Sequence, residues 1–210
     1  MFAHINHPNF GYGIDVEDMK NLNGERFFEV YNGHPAVQNE GDAFHMDTES
    51  MWDAINIHYY KKGKPLMLGI ATDDSHHYHQ FSSDLSNSGR GWVMVKAVEL
   101  NPNLLIAAME AGQFYASSGI LLDQLIETNE SITIEIQAEE GVDYEISFLS
   151  YKKGKDEVVA VQTTQGTKAV YKFEPDDIFV RVKIASNALI ENPYQVGETK
   201  KAWTQPVLVP

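Results

Sequence analysis

The chain contains no cysteine, so neither a disulfide nor a thiolate-ligated zinc site can form. Any metal would have to be held by histidine, aspartate or glutamate. No uninterrupted apolar run reaches the ~18 residues that suggest a membrane-spanning helix. The opening Met-Phe-Ala-His-Ile-Asn-His has no basic region ahead of an apolar one, so it does not read as a secretory signal. Two compartments stay open: the cytoplasm, or export if a preceding segment carried a signal. Basic residues are scarce, with 16 Lys and Arg against 30 Asp and Glu and a net charge of −14. Such a surface repels a phosphate backbone, which argues against a nucleic-acid partner. The clusters Lys152-Lys153-Gly154-Lys155 and Lys200-Lys201 read as solubilising turn residues.

What is present is enough apolar material for a core: 210 residues, 43% of them hydrophobic, suit one large domain or a medium and a small one. Two rhythms divide them. Up to about Gly119, short apolar runs alternate with helical stretches. Strands are expected at Phe2–Ile5, Phe27–Tyr31, Leu66–Ala71, Trp92–Val98 and Phe114–Ser117. Helices are expected over Val16–Leu22, capped by Asp15, over Ser50–Tyr60, and from Asn101-Pro102 to Ala111. Leu104, Leu105, Ala108 and Met109 read as core. Strand–helix alternation with polar strand ends predicts a parallel α/β fold, with chemistry at the C-terminal ends of its strands. After Gly119 the strands follow one another without helices: Ile132–Ile136, Tyr144–Phe148, Val158–Val161, Ala169–Phe173 and Phe179–Ile184. That spacing predicts a small antiparallel β-sandwich over 122–210, after an α/β part over 1–121.

Imidazole and carboxylate are the usual protein ligands of catalytic Zn, Mn and Fe. His7 follows the first strand, and Asp74-Ser75-His76 follows Leu66–Ala71, with the Asp and His two residues apart and so on one side. These three are the candidate metal ligands. His45, His58 and His79 read as ordinary solvated or packing side chains. His77 reads as a support for the ligands or as a substrate contact.

Ala3-His4-Ile5-Asn6-His7-Pro8-Asn9, Phe28-Glu29-Val30-Tyr31-Asn32-Gly33 and Gly69-Ile70-Ala71-Thr72-Asp73-Asp74-Ser75-His76 together resemble strand-end motifs of the PHP (polymerase and histidinol phosphatase) superfamily. The form is that of its CehA/McbA-like branch. Gly91–Val95, Gly112–Gly119 and Ala202–Pro206 fit the same branch. The resemblance implies a partial, distorted (β/α)7 barrel with a multinuclear Zn, Mn or Fe site that hydrolyses phosphate esters. It maps His7, Asp74 and His76 onto metal ligands, with Asp74 and His76 also catalytic. Glu29 falls on a recurrent position that is not a ligand, where a structural or supporting carboxylate is expected. Asn32 and His34 open the next loop, where a substrate contact or a turn role fits. The family's H-x-H and further ligands do not precede His4, so the resemblance implies a C-terminal fragment with an incomplete site.

The expected activity is therefore metal-dependent hydrolysis of a small-molecule phosphoester, with Arg90 or His77 contacting the phosphate. By default Arg90 reads as a surface residue. Two rivals stand beside it. A metal-dependent hydrolase could instead cleave an amide or carbamate. A non-catalytic protein could bind carbohydrate or protein through exposed aromatics among Tyr144, Tyr151, Tyr171 and Trp203. Oligomeric state has no signature here.

Overall fold

The computed structural model describes residues 2–210. The first part of the chain runs β1 (His4–Ile5), α1 (Val16–Met19), β2 (Phe27–Asn32), α2 (Thr48–Lys61) and β3 (Leu68–Thr72). It builds a parallel sheet of order β1-β2-β3. Local chemistry explains the helix starts. Asp15 forms a reciprocal capping box with Asp18, and Asp47 accepts the Ser50 N–H ahead of α2. Helix α2 buries Met51, Trp52, Ile55 and Tyr59 against Phe28, Val30, Tyr31, Met67 and Ala71. The Trp52 indole N–H donates to the Met67 carbonyl at 2.8 Å, so this bulky side chain is buried without an orphaned donor. A Cβ on Gly69 would come within 2.8 Å of the Trp52 ring, which is why the strand is bare there.

Beyond β3 the architecture departs from the expected barrel. β4 (Trp92–Val95), α3 (Pro102–Glu110) and β5 (Phe114–Ser117) follow, but β4 and β5 pair with each other antiparallel. The remaining strands are β6 (Leu122–Glu127), β7 (Ser131–Ile136), β8 (Tyr144–Lys152), β9 (Val158–Gln165), β10 (Lys168–Lys172), β11 (Asp177–Leu189), β12 (Thr199–Thr204) and β13 (Val207–Leu208). β5 pairs antiparallel with β12 near the C-terminus, and β4-β5-β12-β11-β8-β9 with β13 form one seven-stranded sheet. The described residues thus form no (β/α)7 barrel: strand far outweighs helix, with three helices and mostly antiparallel pairing. Alternation misled because α3 joins two antiparallel neighbours, whereas a strand–helix–strand pattern ordinarily signals a parallel crossover.

The third sheet, β10-β7-β6, packs against the seven-stranded one. Ile132, Ile134 and Ile136 alternate inward on β7 to meet Ile146, Phe148, Val180, Val182 and Ile184. Tyr144, Tyr151, Tyr171 and Trp203 are all buried in cores, so none offers an exposed aromatic face. Lys152 is no loose turn residue either: it is nearly buried, and its ammonium meets Glu174, Asp176 and Asp177 at 2.7, 2.7 and 3.0 Å. In α3 only Ala108 is buried, and Leu104 is exposed, against the expectation of a core helix. No helix among the described residues is long and apolar enough to cross a membrane.

Candidate functional site

The parallel sheet delivers three loops to one end. His7 leaves β1, Asn32 and His34 leave β2, and Asp74 and His76 leave β3. Open parallel sheets present ligand-binding residues at this carboxyl end. One buried carboxylate ties the loops together. Glu29, within β2, accepts the His7 backbone N–H at 2.6 Å, the Asn32 side-chain amide at 2.9 Å and the Thr72 hydroxyl at 2.9 Å. His4 lies 3.3 Å away from it through Nε2. Burial pushes the Glu29 carboxyl up, but the hydrogen bonds from His4, Asn32, His7 and Thr72 outweigh it and hold the group below the usual carboxylate range. The supporting role expected at Glu29 has a concrete form: one side chain fixes the ends of all three strands.

The backbone is unusual at the same place. Among the described residues, only His7 (φ 32°), Tyr12 (φ 54°) and Asp74 (φ 49°) adopt positive φ without being glycine. Two of the three are expected metal ligands. Non-glycine residues in this region carry a steric cost, and such outliers concentrate at functional sites.

The imidazoles differ in what they can offer. In His76, Nδ1 lies 2.7 Å from the Asp74 carbonyl oxygen. An N–H donated there leaves Nε2 as a lone pair, the usual arrangement of a metal-binding histidine. His7 Nε2 accepts from the exposed Asn6 amide at 2.9 Å, a contact that a stronger partner can displace. His34 Nδ1 accepts the Ala36 N–H at 3.0 Å, so its Nε2 carries the proton and is a donor, suited to an anion rather than a metal. Burial lowers the His34 pKa, and His76, His7 and Arg90 lower it further against the opposing pull of Asp74. That direction favours the neutral ring, the form in which Nδ1 can accept the Ala36 N–H. The His34 and His76 rings meet edge to face at 5.7 Å, and Asp74 takes a long hydrogen bond of 3.3 Å from Asn32.

His7, His34, Asp74 and His76 thus share one end of the parallel sheet. Other expectations change. Asn32 is buried, with its amide on Glu29 and Asp74 and its oxygen on the His34 N–H, so it positions neighbours rather than meeting a substrate. Arg90 is neither a surface residue nor a phosphate contact. It is fully buried and donates to the carbonyls of Gly33, Ser82, Asn192 and Pro193. A Cβ on Gly33 would come within 2.6 Å of the Arg90 Cβ, so glycine there makes room for the aliphatic stem of the buried arginine. His77 is exposed, 3.5 Å from Ser86 through Nδ1. Asp73, beside the expected ligand, accepts the N–H groups of Gly89, Arg90 and Gly91 and pins that loop to the end of β3.

The donor set of two imidazoles and a carboxylate suits Zn, Mn or Fe. As the side chains stand, however, no three His, Asp or Glu groups among the described residues are close enough together to hold an ion. A groove of about 620 Å³ lined by Asp42, Asp47, Asp53, Asp156 and Glu157 shares none of the strand-end residues. No family model, no curated protein and no solved structure matches this chain.

Proposed function

We propose that the chain carries a divalent-metal-dependent hydrolase site for small phosphoesters, with His7, Asp74 and His76 as metal ligands. The observation that carries this reading is the coincidence of those ligands with positive φ at the common end of the parallel sheet, at both His7 and Asp74. The tautomer of His76, with its Nδ1 engaged by the Asp74 carbonyl, supports it independently. A Zn, Mn or Fe ion bound there supplies acidification of water and positive charge against phosphoryl oxygens. The chain's own residues do the rest. Glu29 holds the His7 backbone and Asn32 in register, and Asn32 steadies Asp74. The neutral His34 presents Nε2–H to an anionic oxygen.

One observation favours a second reading, an inert cluster without metal: no three ligating groups stand within range of one another. Metal analysis separates the two. After incubation with Mn and removal of free ion, one bound ion per chain is expected for the wild type. His76→Ala and Asp74→Asn should lose the ion while keeping the circular dichroism spectrum. Mn-dependent turnover of p-nitrophenyl phosphate should disappear with it. A wild-type protein that retains no ion and shows no turnover overturns the hydrolase reading, whichever bond is considered.

A further inference from the structure

Phe10 is an apolar side chain held open among the strand-end histidines. The residue is 52% exposed, whereas Pro8 and Asn9 just before it are buried. Its backbone is fixed: the N–H donates to the His7 carbonyl at 2.9 Å, the carbonyl accepts from Gly13 at 3.3 Å, and Phe10 forms an isolated antiparallel bridge with Val37. The Phe10 ring centre lies 5.4 Å from that of His7 and 6.3 Å from that of His34, which in turn lies 5.7 Å from His76. Four rings therefore form one row, His7–Phe10–His34–His76, whose only apolar member stands between two imidazoles. Single exposed phenylalanines are ordinary on protein surfaces. This one is fixed by its backbone in the middle of the candidate site, beside the Nε2–H donor of His34.

We propose that Phe10 is a specificity-determining residue that stacks the aromatic leaving group of an aryl phosphomonoester. The proposal rests on the hydrolase reading above and names its substrate class. The Phe10 ring stands beside both His7 and His34, so an aryl group on a phosphate held at this end has an aromatic partner at hand, and such pairs are favoured at centroid distances of about 4.5–7 Å. In the reaction the water oxygen bonds to phosphorus and the phosphorus–oxygen bond to the aryl group breaks. The water's protons are shared between the departing phenol and the phosphate, so the products are a phenol and inorganic phosphate.

Binding of two non-hydrolysable phosphonates, measured by calorimetry with Mn present, tests the proposal without turnover. Wild-type protein should bind benzylphosphonate about tenfold more tightly than methylphosphonate, the scale of one good aromatic contact. Phe10→Ala should shrink that preference to within about twofold, and Phe10→Trp should retain it, because stacking survives that change. Equal wild-type binding of the two phosphonates overturns the proposal and leaves the hydrolase reading standing. So does a Phe10→Ala variant that keeps the preference or weakens both ligands alike. Absence of Mn-dependent binding of either phosphonate overturns both.

Discussion

At His7 and Asp74 the chain holds large polar residues in a backbone region that favours glycine, at φ 32° and 49°. Left-handed conformation costs a non-glycine residue about 1–2 kcal/mol, partly offset for glycine by the entropy it loses on folding. If His7 is kept for ligation rather than packing, removing its side chain two different ways should separate strain from function. His7→Gly is expected to unfold at a higher urea concentration than His7→Ala, by about 1 kcal/mol in stability, with metal binding lost in both. Equal midpoints would show that this position stores no strain. Glu29 has the opposite character, being a residue that stabilises by collecting donors. Glu29→Ala removes the acceptor of the half-buried His7 N–H and Thr72 hydroxyl and of the buried Asn32 amide, which keeps only its long bond to Asp74, and an orphaned buried donor costs about 1–3 kcal/mol. A loss of at least about 3 kcal/mol in denaturant unfolding is expected. A loss below about 1 kcal/mol would mean that water replaces the carboxylate, and the three loops would then not depend on it.

Between elements, a buried polar joint links α2 to β11. Asp53 receives Arg181 Nε and Nη2, each at 2.7 Å, and the guanidinium stacks over Trp52 at 5.0 Å. Glu49 lies 3.6 Å from Arg181 and bonds Lys183 at 2.6 Å. Removing Asp53 leaves the buried guanidinium only the more distant Glu49, so Asp53→Ala should cost about 3 kcal/mol, the lower end for a broken buried pair, whereas the apolar double variant Asp53→Leu/Arg181→Met should recover most of it. A denaturation midpoint for Asp53→Ala within error of wild type would contradict that joint. At the start of β11, opposite Lys152 of β8, burial raises the Asp177 pKa, but bonds from Ser150, the Glu174 N–H, Lys152 and Tyr171 prevail and hold it below the usual range. A carboxylate depressed by folding stabilises above its unfolded pKa of about 4, and that contribution fades as pH falls through the lower folded value. Asp177→Asn should therefore flatten the acid side of the stability–pH curve, read as unfolding midpoints between about pH 5 and pH 2. Elements such as these were only partly legible beforehand. Helix starts at Asp15 and Asn101-Pro102 could be read, since a cap is a bond between near neighbours. The placement of His7 just past β1 and of Asp74 and His76 just past β3 could be read for a similarly local reason, the end of a short apolar run. The burial of Arg90 could not, because it depends on Asn192 and Pro193 about a hundred residues away. Nor could the antiparallel pairing of β4 and β5, where the intervening helix imitates a parallel crossover.

Over the whole molecule, distant segments share hydrogen bonds that a boundary near residue 121 would sever. β5 pairs with β12 through Ala116 and Trp203, and Trp203 stacks on Tyr31 of the parallel sheet at 5.7 Å. Gln205 closes the same seam: its side-chain oxygen takes the Gly69 N–H at 2.7 Å, and its amide donates to the Gly69 carbonyl at 2.9 Å. The sheet end that gathers His7, His34, Asp74 and His76 is therefore supported from the C-terminal segment, through β3 and through Arg90's bonds to residues 192 and 193. Sheets joined by a shared strand pairing and a buried hydrogen-bonded seam are expected to unfold together. A single calorimetric transition is expected, with probes in Trp52 and in the β7 strand losing structure at one temperature. Gln205→Ala orphans both Gly69 groups in the buried seam and should lower stability by about 2–4 kcal/mol without splitting the transition. If residues 1–121 instead melt separately from 122–210, or if Gln205→Ala leaves the hydrogen exchange of the Gly69 amide unchanged, the seam is not what holds the strand ends in place.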